Sequence, residues 1–454
     1  MNNKEQLLRE GKIKSVIFRL AIPLVISQLI NVMYNIVDRI YIGNIPIIGE
    51  DALAGLGITF PVLMIVSAFA ALFGMGGAPL ASIKLGQGKK NEAKNIMVHS
   101  LIMLLLIGVI LTLILIIFNE GILILFGAKK EIIGYARSYM LIYALGTTSV
   151  MLTLGLNSYI SAQGFSKTAM MTVLIGAIIN IILDPIFIYL LDMGVSGAAL
   201  ATIISQTISA IYVLKFLTSN KPIFKLSFTK FNLNYKTILS IAALGISPFI
   251  MQSTESLVQI TFNIQVKNYG GNDYVIYINI ITIMLLVMQI IMLPLMGLAQ
   301  GATPVISYNY GAGKIERVKE AFKILLITSL IYSFAFYLII FIAPNLFIRI
   351  FNSNPNVLQI APNIFRIFFI GISIMGIQIA CQNTFMALKQ PVISLFLALL
   401  RKIVLLIPLT LILPKYFGIN GVFYAEAIAD ILAVIITAIV FALSFNKILL
   451  RKSY

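Results

Sequence analysis

The chain alternates long apolar runs with short polar connections, and the runs decide the fold class. Ile96–Phe118 and Ile278–Leu293 carry no Asp, Glu, Lys or Arg, and each is long enough for most or all of a bilayer crossing. In hydrocarbon every backbone N–H and C=O must be satisfied within the protein, which leaves helices or closed barrels. A barrel strand needs roughly ten residues of alternating apolar and polar positions; the run LIMLLLIGVILTLILIIF (101–118) does not alternate. The pattern predicts an all-α integral membrane protein with spans near 15–40, 52–80, 95–118, 135–160, 169–190 and 196–217. Six more begin near 238, 275, 320, 360, 391 and 419.

Laid on itself, the chain repeats. Pro23 in LAIPLVISQ falls on Pro248 in LGISPFIMQ, 225 residues later. At the same spacing Gly86, Gly88, Lys89 and Lys94 fall on Gly311, Gly313, Lys314 and Lys319, Pro79 on Pro304, and Ala162 on Ala387. Gly194, Gly197 and Ala201 meet Gly418, Gly421 and Ala425 at 224. A near-constant register of this length marks an internal repeat. Six spans per half is an even number, so the two six-helix lobes run parallel about an axis along the membrane normal. The expected units are an N-lobe, 1–218, a basic cytoplasmic linker, 219–236, and a C-lobe, 237–454. Parallel two-half architectures place substrate between the halves and rock one against the other.

Composition agrees: of 454 residues 60% are hydrophobic and 11% charged, against about a quarter charged in soluble chains. The formal net charge of +17 invites a nucleic-acid reading, but its placement argues for topology. Most Lys and Arg fall on one side of the twelve spans, including Lys4, Arg9, Lys84, Lys89, Lys90, Lys94, Lys230, Lys314, Arg317, Arg451 and Lys452. The other side holds Arg39, Lys129, Lys130, Arg137, Lys267, Arg349, Arg366 and Lys415. By the positive-inside rule both termini of this multi-pass protein are cytoplasmic. The start, MNNKEQLLREGKIKSVIFRL, carries no cleavable signal pattern, and residues 4–19 read as an amphipathic helix lying on the cytoplasmic surface.

Some chemistries are excluded. The single cysteine, Cys381, permits no internal disulfide or CxxC site and reads as packing. The lone His99 cannot build a metal site. GQGKK and GAGKI lack the GxxxxGK[ST] pattern of a phosphate loop, so ATP-driven pumping by this chain is not expected, and neither is a cofactor or enzymatic activity. The 18 Met residues suit an adaptable pocket but equally fill apolar helices.

Five carboxylates fall inside spans: Asp38, Asp184, Glu255, Glu426 and Asp430. Each costs at least about 2.5–3.5 kcal/mol to insert, so such residues usually face a cavity and work there. In NIILDP, Asn180 and Asp184 share one helical face, and Pro185 cannot donate to the carbonyl of Ile181. Three oxygens then cluster on one turn, suited to Na⁺, a hard cation, or to proton carriage by a desolvated carboxylate. Structurally, Pro185 would merely kink the helix and Asn180 would bridge helices. Asp38 does not face its neighbour Arg39 along the helix. Thr202 occupies the repeat position of Glu426, whereas Leu405 and Leu409 stand where the first half has Asn180 and Asp184, so an ion site belongs to the first half. On span seven Glu255, flanked by Gln252 and Gln259, suits a cationic substrate, with Gln289 on span eight as a further contact. Arg401 and Lys402 in span eleven are expected to neutralise Glu255, Glu426 or Asp430, since buried charges are normally paired.

PLVISQLINVMYNIVDRIYIG (23–43), AQGATPVISYNYGAGK (299–314), and NIILDPIFI (180–188) followed by GVSGAALAT (194–202) together resemble the multidrug and toxic compound extrusion (MATE) transporters, particularly the bacterial MepA-like branch. The resemblance covers essentially the whole chain. It implies twelve helices in two lobes around a central cleft, working as a monomer. It also implies export of bulky, often cationic organic compounds and drugs in exchange for Na⁺ or H⁺. In members with an N-lobe ion site, an acid on helix one, Asn and Asp on helix five and Thr on helix six form it. Those positions match Asp38, Asn180, Asp184 and Thr202. Other members use acids on helices seven and ten; here Glu255 lies on seven, and ten has none. The rivals are a flippase for lipid-linked sugars, an intramembrane lipid enzyme and a channel.

Overall fold

The computed structural model describes residues 3–126, 128, 132–229, 232–351 and 354–450; Lys129, Lys130, Lys230, Arg451 and Lys452, used in the charge reading, lie outside them. Among the described residues every regular element is a helix. Twelve helices among the described residues are long and apolar enough to cross a membrane. In order they are Ile13–Gly43, Asp51–Gly86, Lys90–Ile117, Ile133–Ala162, Ser166–Leu190, Gly194–Thr218, Tyr235–Tyr269, Ile276–Gly311, Ile315–Ile342, Pro355–Ala387, Pro391–Phe417 and Ile419–Leu450, called spans one to twelve below.

The repeat seen in the sequence has a three-dimensional counterpart. Ser82 donates to the Ala162 carbonyl at 3.2 Å, and Ser307 donates to the Ala387 carbonyl at 3.0 Å. The turns after spans two and eight close with Lys89 N–H on Lys84 O and Lys314 N–H on Asn309 O, both at 2.9 Å. Each passes through a left-handed glycine, Gly88 at φ +78° and Gly313 at φ +71°, a conformation that only glycine adopts without strain.

Spans one and two meet spans seven and eight at the lysine-rich end through backbone-to-backbone contacts. A methyl on Gly86 would collide with the Tyr308 carbonyl, and one on Gly311 with the Ile83 carbonyl. Ile83 and Tyr308 are themselves repeat mates, so these contacts are reciprocal about the pseudo-two-fold axis. Gly245 sits on Leu72, while Gly297, the repeat mate of Leu72, sits on Val25. Phe69 and Phe249 pack edge to face at 4.9 Å. One apolar core runs from the first half across this junction. A second core, containing Val258, Phe262, Phe368 and Phe423, belongs to the second half alone.

The N-terminus departs from expectation. It is not a surface helix over 4–19: a helix spans Asn3–Glu10, the chain breaks at Gly11, and span one starts at Ile13. Leu8 is fully buried and Glu5 nearly so, because the segment docks on protein across both halves. Glu5 pairs with Lys90 at 2.7 Å, and Lys4 lies over the Phe165 ring at 5.5 Å. Burial first, then the charges of Arg19 and Lys167, pull the Lys4 ammonium below its usual pKa. From the second half, Asn309 holds the Leu8 carbonyl at 3.1 Å, Lys314 that of Arg9 at 2.9 Å, and Arg317 that of Gly11 at 2.8 Å. An amphipathic sequence seeks an apolar partner, and here protein supplies it. The later part of the linker docks too: Lys94 reaches the Thr229 carbonyl at 2.6 Å, and the Asn234 N–H donates to His99 at 2.9 Å. His99 is thus a tether, and Cys381 is buried in the core.

The backbone contact at Gly86 predicts a sharp contrast between two identical changes. Gly86→Ala overpacks the junction and lowers stability by about 1–3 kcal/mol. Gly57→Ala, where a methyl meets nothing within 4 Å, is neutral or stabilising by up to about 1 kcal/mol. Thermal unfolding of the two detergent-solubilised variants checks this; equal melting temperatures would refute the account of the junction.

Candidate functional site

Spans one, five and six build a buried polar cluster in the first half. Span one runs unbroken through Pro23 to Gly43 and presents Asp38, which is 8% exposed. Span five is regular through Pro185, then widens into a π turn, Ile186–Leu190. The missing proline N–H cannot close the ordinary ladder, and a widened turn is one way of accommodating that. The π turn carries Tyr189 onto span one, where its hydroxyl donates to the Tyr41 carbonyl at 2.6 Å. Span six approaches the same turn closely: a side chain at Gly197 would collide with the Phe187 backbone. That approach sets Thr202 beside Asn180.

Within the cluster, Asn180 Nδ2 donates to Asp184 Oδ1 at 3.1 Å and lies 3.5 Å from Thr202 Oγ1. Asn180 and Asp184 are buried. Asp38 and Asp184 lie within range of each other's charge, and Tyr34 and Tyr139 share their surroundings. Arg39 turns away to stack over Phe60 at 5.5 Å. Among the described residues neither carboxylate has an ion-pair partner. Asp38 Oδ1, Asn180 Oδ1 and Asp184 Oδ2 are buried and accept no hydrogen bond. All three are acceptors, and the nearby amide donor is already committed. Leaving such a group unmatched costs about 1–3 kcal/mol, and more when it is charged. A small cation or a proton satisfies this arrangement; a substrate anion does not.

In the second half the ionisable groups neutralise one another. Span eleven contains a π segment, Leu400–Leu406, just before Pro408. On it, Arg401 donates to Asp430 Oδ1 at 2.6 Å and Glu426 Oε1 at 3.2 Å. The adjacent Lys402 points instead to span seven, contacting the Glu255 carboxylate and donating to the Met251 carbonyl at 3.1 Å. Glu255 is therefore paired, its side chain 62% exposed. Gln252, Gln259 and Gln289 form no hydrogen bond with one another. No group of three or more His, Cys, Asp or Glu gathers among the described residues. Sequence reasoning missed Tyr139 and Tyr189, which carried no signal, Tyr34, which was readable four residues before Asp38 on one helical face, and Pro408, which was readable as the near-counterpart of Pro185.

Comparison with known proteins adds a family-scale match. The family model MatE matches the chain twice, over residues 23–186 and 247–412. The chain is 24% identical over 445 residues to the multidrug export protein MepA of Staphylococcus saprophyticus, covering 97% of each. It is 26% identical over 428 residues to MepA of Staphylococcus haemolyticus, covering 94% of this chain and 93% of that one. Among solved structures, it superposes with TM-score 0.91 on an outward-facing multidrug resistance MATE family transporter of the MOP superfamily. It does so equally on a MOP superfamily transporter from Pyrococcus furiosus described as having a binding pocket of reverse polarity. Both are 24% identical, with 99% of each chain covered.

The Arg401 network yields a stability prediction. Arg401→Leu strands Glu426 and Asp430 without their partner and costs about 3–5 kcal/mol. Adding Glu426→Gln and Asp430→Asn to that variant recovers most of the loss. Thermal unfolding of the single and triple variants tests it; a triple variant no more stable than the single one would refute a purely compensating role for Arg401.

Proposed function

The chain belongs to the MatE family of transporters, and from that premise we propose that it is a secondary-active multidrug efflux antiporter. It exports organic, often cationic, compounds in exchange for Na⁺ or H⁺. The observation that carries the reading is the set of three buried acceptor oxygens on Asp38, Asn180 and Asp184 that nothing among the described residues satisfies. One proton bridges at most two of them, whereas a cation can draw on all three and on Thr202, so the arrangement favours Na⁺. The names of the MepA relatives support drug export.

In this reading the lysine-rich end faces the cytoplasm, and both termini lie there. The halves 1–218 and 237–454 are the bodies that rock, working as a monomer in the bacterial plasma membrane. Three features support an outward-facing state. Glycine contacts join the halves at the lysine-rich end, the N-terminal strap bridges them there, and the separate second core lies toward the opposite end. Cation binding draws spans one and five together, changes the packing of the first half and weakens its hold on drug, provided the ion binds the two states with different affinity. Glu255, with Gln252, Gln259 and Gln289, contributes the substrate contacts. A flippase for lipid-linked sugars calls for a strongly cationic cavity, and Arg401 and Lys402 are each neutralised by carboxylates.

Asp38→Asn and Asp184→Asn are expected to abolish gradient-driven efflux of a cationic dye from proteoliposomes while membrane insertion stays normal. Na⁺ and pH gradients imposed separately assign the coupling ion, with the Na⁺ gradient expected to drive efflux. Full activity in both variants would remove the mechanism.

A further inference from the structure

Span nine begins beside the strap, at Ile315, and ends at Ile342, about 40 Å away at 1.5 Å per residue. Beyond it a short helix, Pro344–Phe351, leads back to span ten. Pro344 and Ile348 of this helix are buried against the protein, while Leu346 and Ile350 are 62% and 71% exposed, and Ile342 is 69% exposed. Three large apolar side chains facing water would forfeit the stabilisation that burial gives. The helix has the form of an element lying in the membrane interface. Beside it opens a groove of about 510 Å³, lined by these apolar residues and by Arg349 and Arg366.

The arginines give the groove its chemistry. Arg366 is fixed in place: it donates to the Phe341 carbonyl at 3.0 Å and to Asn363 Oδ1 at 3.1 Å, with its guanidinium over the Phe341 ring. A guanidinium has five N–H donors in a planar fork, so three remain for a ligand. Among the described residues neither Arg349 nor Arg366 has a carboxylate partner, in contrast to Arg401. Two cations above an apolar ledge, at bilayer-boundary depth, match a phosphate with an acyl chain attached, and arginine suits phosphate by bidentate hydrogen bonding.

We propose that this groove binds an anionic glycerophospholipid, its phosphate between Arg349 and Arg366 and its acyl chain over Ile342, Leu346 and Ile350. A zwitterionic headgroup brings its own cation into a site that already holds two, so the net-anionic lipid is preferred. The binding is independent of the transport reading above, and its failure leaves that reading intact.

Native mass spectrometry of the full-length protein tests the proposal. Phosphatidylglycerol, phosphatidylcholine of matched acyl chains, and inorganic phosphate are added separately. Phosphatidylglycerol is expected to be retained in preference to phosphatidylcholine. Arg349→Ala/Arg366→Ala lowers its affinity roughly tenfold or more, at about 1 kcal/mol for each basic group near a headgroup. The Arg349→Lys/Arg366→Lys pair keeps most of it. Should the double alanine variant not purify, Arg349→Ala alone is expected to show an intermediate loss. Unchanged retention in the alanine variants, equal retention of phosphatidylcholine, or displacement of the lipid by inorganic phosphate would overturn it.

Discussion

The constraint that organises this protein is the cost of placing a carboxylate where water cannot reach it. Five carboxylates sit within spans, four of them buried, and the two halves treat them in opposite ways. In the second half Arg401 and Lys402 are spent on Glu426, Asp430 and Glu255, and the network is largely closed on itself. In the first half Asp38 and Asp184 have no basic partner, and three acceptor oxygens remain unmatched. A closed network gains little from a mobile ion, whereas an open one is stabilised by it. That difference is the reason the proposed coupling cation is assigned to the first half rather than the second.

The same asymmetry appears in the backbone. Pro185 and Pro408 lie within two residues of repeat equivalence, and each lies beside a π turn. In span five the turn follows the proline, so Asn180 and Asp184 stay on a regular helix and converge. In span eleven it precedes the proline and carries Arg401 and Lys402. The widened turn lets these neighbours diverge, one to span twelve and the other to span seven. One inherited helix defect thus supports a convergent site in one half and a dispersed ion-pair network in the other.

The architecture was legible because it follows from coarse physics: apolar length sets the spans, and register sets the repeat. Gly86 and Gly311 aligned in the sequence, and the structure gives the reason, since each lies against the other half's backbone where a methyl does not fit. Asn180 and Asp184 were legible as an i, i+4 pair beside a proline. The pairing of Arg401 and Lys402 with acids was expected from charge balance, but its division between spans seven and twelve was not, because a π turn breaks the helical periodicity that such reasoning uses. The N-terminal strap was misread for a related reason: an amphipathic pattern reports an apolar partner without saying whether that partner is lipid or protein. Of the tyrosines around Asp38, Tyr34 was readable at i, i+4 but was passed over, whereas Tyr139 and Tyr189 lie on other spans and left no trace in the local pattern.

For a cation in the first half to alter the whole molecule, its effect must reach the junction between the halves. Span one is the physical route. It carries Asp38 at one end, and toward the other it lies against span eight through Ala21 and Val25, where Gly301 and Gly297 leave no slack. The Asp38 end is tied to span five by the Tyr189 hydroxyl, which donates to the Tyr41 carbonyl. A helix held at the ion cluster and packed without clearance on the opposite half does not absorb a shift locally, because packed interiors move as units. In the proposed mechanism, drawing spans one and five together to satisfy the three oxygens would therefore also act on the glycine contacts at the lysine-rich end.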